Sequence, residues 1–114
     1  MPEATSVSQI ISQYRRFGWR MQAALVDNRD LENLLSEIGP LDENVEVRIF
    51  EIPCLWFSRR TQPDSDTWEI RRLRGNPYAL VEVISDAATQ EMRRAILQRA
   101  ERRMLDAADS LGKR

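Results

Sequence analysis

The sequence predicts an α+β two-layer domain with two N-terminal helices, an antiparallel β-meander of three to four strands and a long C-terminal helix. Apolar residues recur at three- and four-residue steps near both ends of the chain, which is typical of amphipathic helices. The middle of the chain alternates apolar and polar residues, which is typical of half-buried strands. Its connections are short, and short connections favour antiparallel neighbours because a parallel crossover needs about a dozen residues.

The first predicted helix covers residues 7–26. Ser6 and Gln9 have the spacing of a capping box, in which each side chain binds the backbone N–H of the other residue. Gly18 lies inside the helix, where it costs about 1 kcal/mol relative to alanine, so we expect close packing there. The predicted apolar face consists of Val7, Ile11, Tyr14, Gly18, Met21 and Leu25.

A second, shorter helix is predicted to begin after Asn28 and to end at Gly39. Its apolar residues follow the i, i+3, i+4, i+7 pattern of a helix: Leu31, Leu34, Leu35 and Ile38. Gly39 favours the left-handed conformation that closes a helix, and Pro40 prevents its continuation.

Four strands are predicted next, over residues 45–49, 54–60, 67–74 and 78–84. Val45, Val47 and Ile49 alternate with charged residues. Residues 61–66 are rich in turn formers, and residues 75–77 form a second tight connection.

The last predicted helix covers residues 86–110, with Ser85 as its N-cap. Its apolar stripe consists of Met92, Ile96, Ala100, Met104, Ala107 and Leu111. Glu101 falls on the polar side of this pattern. Arg99 and Arg103 border the stripe, and Arg93 lies in its first turn, so these three arginines are candidates for contacts with an acidic partner.

Length and composition indicate one soluble domain, residues 1–114, with flexible tails at residues 1–5 and 111–114. No apolar run approaches the roughly 20 residues of a membrane helix, and the polar N-terminus is unlike a signal peptide. Cys54 is the only cysteine and lies among apolar residues. We therefore expect a buried thiol, a cytoplasmic protein and no membrane contact.

Sixteen of the 17 basic residues are arginine, and histidine is absent. Arginine binds carboxylate or phosphate through two parallel hydrogen bonds and stacks on aromatic rings. The lack of histidine removes the usual general base and a common metal ligand. The composition therefore favours binding over catalysis, and we expect no catalytic residue, no cofactor and no metal site.

The net charge of −1 combines an acidic first half with a basic second half. Residues 27–51 hold eight acidic residues and two arginines, whereas residues 54–114 have a net charge of +3. This asymmetry has two interpretations. Acidic and basic elements pack against each other within one chain, or the basic elements bind an acidic surface such as residues 27–51 of a second copy.

Two further sites pair tryptophan with arginine. On the first predicted helix, Arg15 and Arg16 lie one turn from Trp19. This arrangement is either an exposed tryptophan covered by stacked arginine side chains or a binding hot spot. In the central hairpin, a register that pairs Arg60 with Thr67 would put Trp56, Arg60 and Arg71 on one open face. That face resembles the platforms that bind single-stranded nucleic acid, although long arginine side chains also cover tryptophans on ordinary solvated faces.

We therefore expect a non-enzymatic protein–protein interaction module, such as an adaptor, assembly factor or regulatory subunit, that forms a homodimer. The candidate partner-binding residues are Arg15, Arg16, Trp19, Trp56, Arg60, Arg71, Arg93, Arg99 and Arg103. One alternative is a single-stranded nucleic-acid-binding module that uses the hairpin. A second alternative is a small enzyme that relies on carboxylate chemistry.

Overall fold

The structure is a computed structural model that describes residues 6–74 and 77–112, with side chains up to residue 107. In chain order its elements are helix α1 (Val7–Arg16), strand β1 (Arg20–Val26), helix α2 (Leu31–Ile38), strands β2 (Glu46–Ile49), β3 (Cys54–Gln62), β4 (Ser65–Arg72) and β5 (Ala79–Ser85), and helix α3 (Gln90–Gly112). A short 3-10 helix, Asn28–Asp30, precedes α2. The predicted tail at residues 1–5, the end of the tail at 113–114 and the turn residues 75–76 lie outside the described residues.

The predicted α+β class is confirmed, but the predicted antiparallel meander in two layers is wrong. The five strands form one mixed sheet in the order β2-β1-β3-β4-β5, in which β1 and β2 are parallel and the other pairs are antiparallel. Helices α1 and α2 pack on one face of this sheet and α3 packs on the other. The domain therefore has three layers.

Helix α1 begins as predicted and ends ten residues earlier than predicted. Ser6 and Gln9 form the expected capping box. The helix stops at Arg16 because Gly18 adopts a φ of +86°, a left-handed conformation that glycine enters without strain. Gly18 is therefore a helix terminator, and our prediction of close packing inside a longer helix is wrong.

The residues that follow Gly18 form β1, a strand between β2 and β3 that the sequence pattern did not predict. Ala23, Ala24, Leu25 and Val26 are all buried, because helices cover both faces of the sheet at this strand. A strand buried on both faces carries a continuous apolar run instead of an alternating one. Its Met21 and Leu25 also have helical spacing, which explains the incorrect prediction of a helix.

Helix α2 connects β1 to the parallel strand β2. Asp27, and not the predicted Asn28, caps the 3-10 helix by accepting a hydrogen bond from the Arg29 N–H at 2.8 Å. Gly39 ends α2 with a φ of +83°, as predicted. Arg74 binds Asp30 at 2.8 Å and Glu37 at 2.6 Å, so part of the charge asymmetry of the chain is neutralised internally.

The β3–β4 hairpin is present, but its register differs by one residue from the prediction. Arg60 pairs with Asp66 instead of Thr67, and Trp56 consequently pairs with Ile70 instead of Arg71. Alternate residues of a strand face opposite sides, so the one-residue shift puts Ile70 on the face of Trp56 and turns Arg71 to the other face. Helix α3 covers the face of Trp56, and α1 covers the face of Phe57.

Helix α3 begins at Gln90 and not at the predicted residue 86. Thr89 accepts a hydrogen bond from the Met92 N–H at 3.1 Å, whereas Ser85 binds the turn residue Ala87. Of the predicted stripe, Ala100 and Met104 are buried against the sheet, while Met92 is exposed. The helix continues to Gly112, so residues 111–112 of the predicted tail belong to it.

Candidate functional site

Strand β5 forms one edge of the sheet, and its outer edge pairs with no other strand among the described residues. Two hydrogen bonds show which of its backbone groups face inward. The Arg72 N–H donates to the Tyr78 carbonyl at 2.9 Å, and the Asp86 N–H donates to the Asp64 carbonyl at 2.8 Å. Backbone groups alternate in direction along a strand, so the outward-facing amides and carbonyls belong to Ala79, Val81, Val83 and Ser85.

The side chains of these same residues lie on the α1 face of the sheet, beyond the reach of α1. Val81 pairs with Glu69 and Val83 pairs with Thr67 on β4. No described residue of β5 belongs to the core beneath α1. Val81 is 52% exposed and Val83 is 59% exposed. We call Ala79, Val81, Val83 and Ser85 the β5 edge surface.

A shallow depression of about 280 Å³ extends this surface toward α1. Phe17, which is 63% exposed, lies on one side, and Glu69 and Arg71 of β4 lie on the other. The Tyr14 hydroxyl donates a hydrogen bond to Glu69. Burial and this hydrogen bond raise the pKa of Tyr14. The neighbourhood of the edge surface thus combines exposed apolar groups with oriented polar groups.

Trp19 lies in the connection between α1 and β1, half-buried, and not on an exposed helical face as predicted. Its ring meets Tyr14 edge to face at 5.7 Å. Arg59 lies 4.7 Å from the ring centroid and donates a hydrogen bond to the Phe17 carbonyl at 2.8 Å. Arg59 therefore covers Trp19, in place of the predicted pair on α1.

Of that predicted pair, Arg15 lines a separate cleft of about 430 Å³ together with Trp19. Arg16 lies on the outer side of α1 beside Ser12 and Gln13. The structure thus brings Arg15, but not Arg16, to the tryptophan.

The three hairpin residues of the nucleic-acid prediction do not share an open face. Trp56 is 1% exposed beneath α3. Arg60 lies on the same side of the sheet and pairs with Asp66 at 3.3 Å and Asp86 at 2.9 Å. Arg71 lies on the opposite side and donates to the Arg72 carbonyl at 2.6 Å. The predicted platform of Trp56, Arg60 and Arg71 is therefore wrong in its geometry.

A buried polar cluster occupies the α3 side instead. Glu101 is 6% exposed, although the helical pattern predicted a polar, solvated position. Its carboxylate accepts hydrogen bonds from both terminal nitrogens of Arg48, at 3.3 and 2.5 Å, and from Trp56 Nε1 at 2.8 Å. The hydrogen bonds to Glu101 raise the pKa of Arg48. Arg48 Nε lies 3.2 Å from Glu46 but is not aligned for a hydrogen bond.

A cleft of about 460 Å³ opens beside this cluster, between α3 and the sheet. We call it the Trp68 cleft. Trp68 is half-buried at its base and meets Trp56 edge to face at 6.1 Å. Arg93 and Arg94 of α3 also line the cleft and are exposed.

The remaining predicted arginines of α3 lie away from the Trp68 cleft. Arg99 is exposed, and no ion pair involves it among the described residues. Arg103 lies 3.7 Å from Glu82 of β5. The predicted arginine set therefore divides between two surfaces, with Arg93 at the cleft and Arg103 near the β5 edge surface.

Cys54 is fully buried, as expected, and burial raises the pKa of its thiol to about 12. A nucleophilic role needs a depressed thiol pKa, so the environment of Cys54 is that of a structural cysteine. Over the part of the chain that the structure describes, no cluster of three or more cysteine, aspartate or glutamate residues is arranged to hold a metal ion. None of the helices in these residues combines the length and apolar composition that a membrane crossing requires.

The comparisons with known proteins give no relative. No family model matches the chain, and no match was found among the curated proteins or the solved structures.

Sequence reasoning missed Glu101, Arg48, Trp68 and the β5 edge surface. One signal for Glu101 was present, because Leu97, Glu101 and Met104 follow i, i+4, i+7 spacing and share a helical face with Ala100. A charged residue in the middle of an apolar stripe indicates a buried partner. The edge position of β5 had no comparable signal, because strand order depends on the complete sheet.

Proposed function

We propose that this protein is a non-enzymatic protein–protein interaction module that forms a homodimer by antiparallel pairing of β5 with β5 of a second copy. An adaptor, assembly factor or regulatory subunit is the corresponding class of protein. The β5 edge surface supports the proposal. A seven-residue edge strand with outward-facing amides and no charged side chain on its exposed face is a template for another strand.

Strand β2, at the opposite edge of the sheet, provides a comparison with β5. Natural sheets protect their edges with short strands and charged residues. Strand β2 has only four residues, and its outward-facing residues, Val47 and Ile49, are 43% and 59% exposed. Strand β5 has seven residues, with alanine, valine and serine at its outward-facing positions. The two edges therefore differ in length, and the longer edge offers more backbone groups to a partner strand.

A second copy of the chain can pair with β5 in a regular antiparallel register. A two-fold axis at Glu82 brings Val81 opposite Val83 of the second copy, and the outward N–H groups of each strand then donate to the outward carbonyls of the other. Glu82 is the only charged residue of β5, and Arg103 lies 3.7 Å from it. The two central carboxylates would therefore meet with a guanidinium beside each, which reduces their repulsion. Two-fold dimers are also the commonest oligomers.

The alternatives have less structural support. The nucleic-acid alternative relied on Trp56, Arg60 and Arg71, which do not form one surface. The enzyme alternative needs a reactive group in a cleft, and the oxygens of Glu101 are occupied by Arg48 and Trp56. A buried free thiol agrees with the reducing cytoplasm that we propose for the protein.

Sedimentation velocity at about 100 μM protein tests the proposal, because that concentration populates a dimer of micromolar affinity. We expect the native protein to be dimeric and Val83→Lys to weaken dimerisation at least about 10-fold, since an ammonium would replace an apolar contact at the interface. Ile49→Lys is a matched control, because Ile49 is also 59% exposed and lies on the opposite edge strand. Circular dichroism establishes that both variants are folded.

Two results contradict the proposal. One is a monomeric native protein at this concentration. The other is a dimer that Ile49→Lys weakens as much as Val83→Lys does, because the interface would then not lie at the β5 edge surface.

A further inference from the structure

The Trp68 cleft has features of a small-molecule site that the proposed interaction function does not use. Its volume, about 460 Å³, lies in the range of roughly 300–1,000 Å³ that is typical of ligand pockets. It lies on the α3 face of the sheet, whereas the β5 edge surface lies on the α1 face. The two surfaces therefore share no residue.

Trp68 contributes an aromatic ring to the lining of the cleft. The ring is held in place by the edge-to-face contact with Trp56, which is itself fixed by its hydrogen bond to Glu101. An aromatic ring that is both oriented and half-exposed is suited to stacking on a planar ligand. Stacking of a nucleobase on an aromatic side chain contributes about 1–3 kcal/mol.

Arg93 and Arg94 provide positive charge at the same cleft. Arg48, Arg60, Arg74 and Arg103 each lie within ion-pair distance of a carboxylate, but no such pair involves Arg93 or Arg94 among the described residues. Two exposed guanidiniums on one helix can bind a phosphate through several charge-assisted hydrogen bonds. Arg48 lies within ion-pair distance of both Glu46 and Glu101, so these three groups together contribute one negative charge, and Arg93 and Arg94 give the lining a net charge of +1.

Carboxamide groups complete the lining. Gln22 and Asn44 lie on the sheet side, and Gln90 and Gln98 lie on α3. A carboxamide both donates and accepts hydrogen bonds, as the edge of a nucleobase does. We propose that the Trp68 cleft binds a nucleoside monophosphate, with its base on Trp68 and within reach of the carboxamides, and its phosphate on Arg93 and Arg94.

Titration with AMP, GMP, CMP and UMP, followed by calorimetry and by tryptophan fluorescence, tests this inference. We expect saturable binding of at least one nucleotide with a Kd below about 1 mM. The double variant Arg93→Ala/Arg94→Ala should bind at least about 10-fold more weakly, because it loses charge-assisted hydrogen bonds. Arg99→Ala/Arg102→Ala is the matched control, with the same charge change on exposed residues of the same helix outside the cleft, and it should bind as the native protein does.

Further ligands separate the parts of the proposal. The unphosphorylated nucleoside and inorganic phosphate should each bind more weakly than the nucleotide. Equal binding of phosphate alone would refute the role of Trp68, and tighter binding of an aromatic carboxylate such as indole-3-acetate would refute the choice of a phosphate ligand. No saturation with any of the four nucleotides, or equal weakening in both double variants, would overturn the inference. None of these results depends on the oligomeric state, so they leave the proposed function unaffected.

Discussion

Replacing Glu101 with alanine removes the acceptor at the centre of the buried polar cluster. Trp56 Nε1 then loses its partner at 2.8 Å, and Arg48 loses both of its hydrogen bonds to the helix. The indole is buried in the native structure, where Trp56 is 1% exposed. The variant therefore tests whether this cluster holds α3 on the sheet.

The expected loss of stability in Glu101→Ala depends on how exposed Trp56 and Arg48 are. A buried N–H without an acceptor costs about 1–3 kcal/mol. The Arg48 side chain is 38% exposed, so water replaces much of its lost pairing, and we assign it no more than the value of a surface pair, about 1 kcal/mol. We expect Glu101→Ala to lower the free energy of unfolding by about 1–4 kcal/mol, which corresponds to roughly 4–20 °C in Tm. Glu101→Gln keeps an acceptor for Trp56 and should lower the free energy of unfolding by about 1 kcal/mol.

Urea denaturation followed by circular dichroism measures both variants at one protein concentration. Glu91→Ala, an exposed substitution on the same helix, serves as the control and should change the free energy of unfolding by less than about 0.5 kcal/mol. A double-mutant cycle of Glu101→Ala with Trp56→Phe isolates the coupling of the indole to the carboxylate. The explanation is refuted if Glu101→Ala and Glu101→Gln are equally destabilising, since the indole hydrogen bond would then contribute nothing.

Two further predictions concern Cys54 and Gly18. Burial raises the pKa of Cys54 from 9.0 to about 12, so the thiol ionises at lower pH in the unfolded chain than in the folded one. Above pH 9 this difference should lower the free energy of unfolding by about 1.4 kcal/mol per pH unit. Cys54→Ala should remove this part of the pH dependence of stability, measured by denaturation curves collected from pH 8 to 11. An unchanged pH dependence in the variant would contradict the prediction. Gly18→Ala should lower the free energy of unfolding by about 1–2 kcal/mol, because Gly18 has a φ of +86°. A Cβ at this position meets no atom within 4 Å, so backbone strain is the only cost. Gly18→Asn should cost less, since asparagine tolerates this conformation, and thermal melts that rank the two variants in the opposite order would exclude this explanation.

The ends of several elements could be predicted from local sequence. Ser6 with Gln9 begins α1, and Gly39 ends α2, as the structure shows. Both signals rely on one or two residues whose side chain or backbone preference acts within a single turn. A turn between β3 and β4 was also predicted, but it covers residues 63–64 instead of 61–66. These features were predictable because their energy comes from neighbours in the sequence.

The candidate surfaces could be predicted only in part. Arg93 was identified from its place on the last helix, and it does line the Trp68 cleft. Trp56 was identified for its chemistry and assigned to an open face, but α3 covers that face and the observed register turns Arg71 to the other side. The turn residues do not fix that register alone. Burial of Ile70 beside Trp56 beneath α3 also contributes to it.

The sequence by itself determined the α+β class, the long C-terminal helix and a preference for arginine-mediated contacts. Only the tertiary structure decided that residues 20–26 form a strand between β2 and β3, that Glu101 is buried, and that β5 lies at an edge. The physical reason is that each of these depends on what packs against the element from elsewhere in the chain. Met21 and Leu25 suit either a helix or a strand, and burial on both faces of the sheet selects the strand.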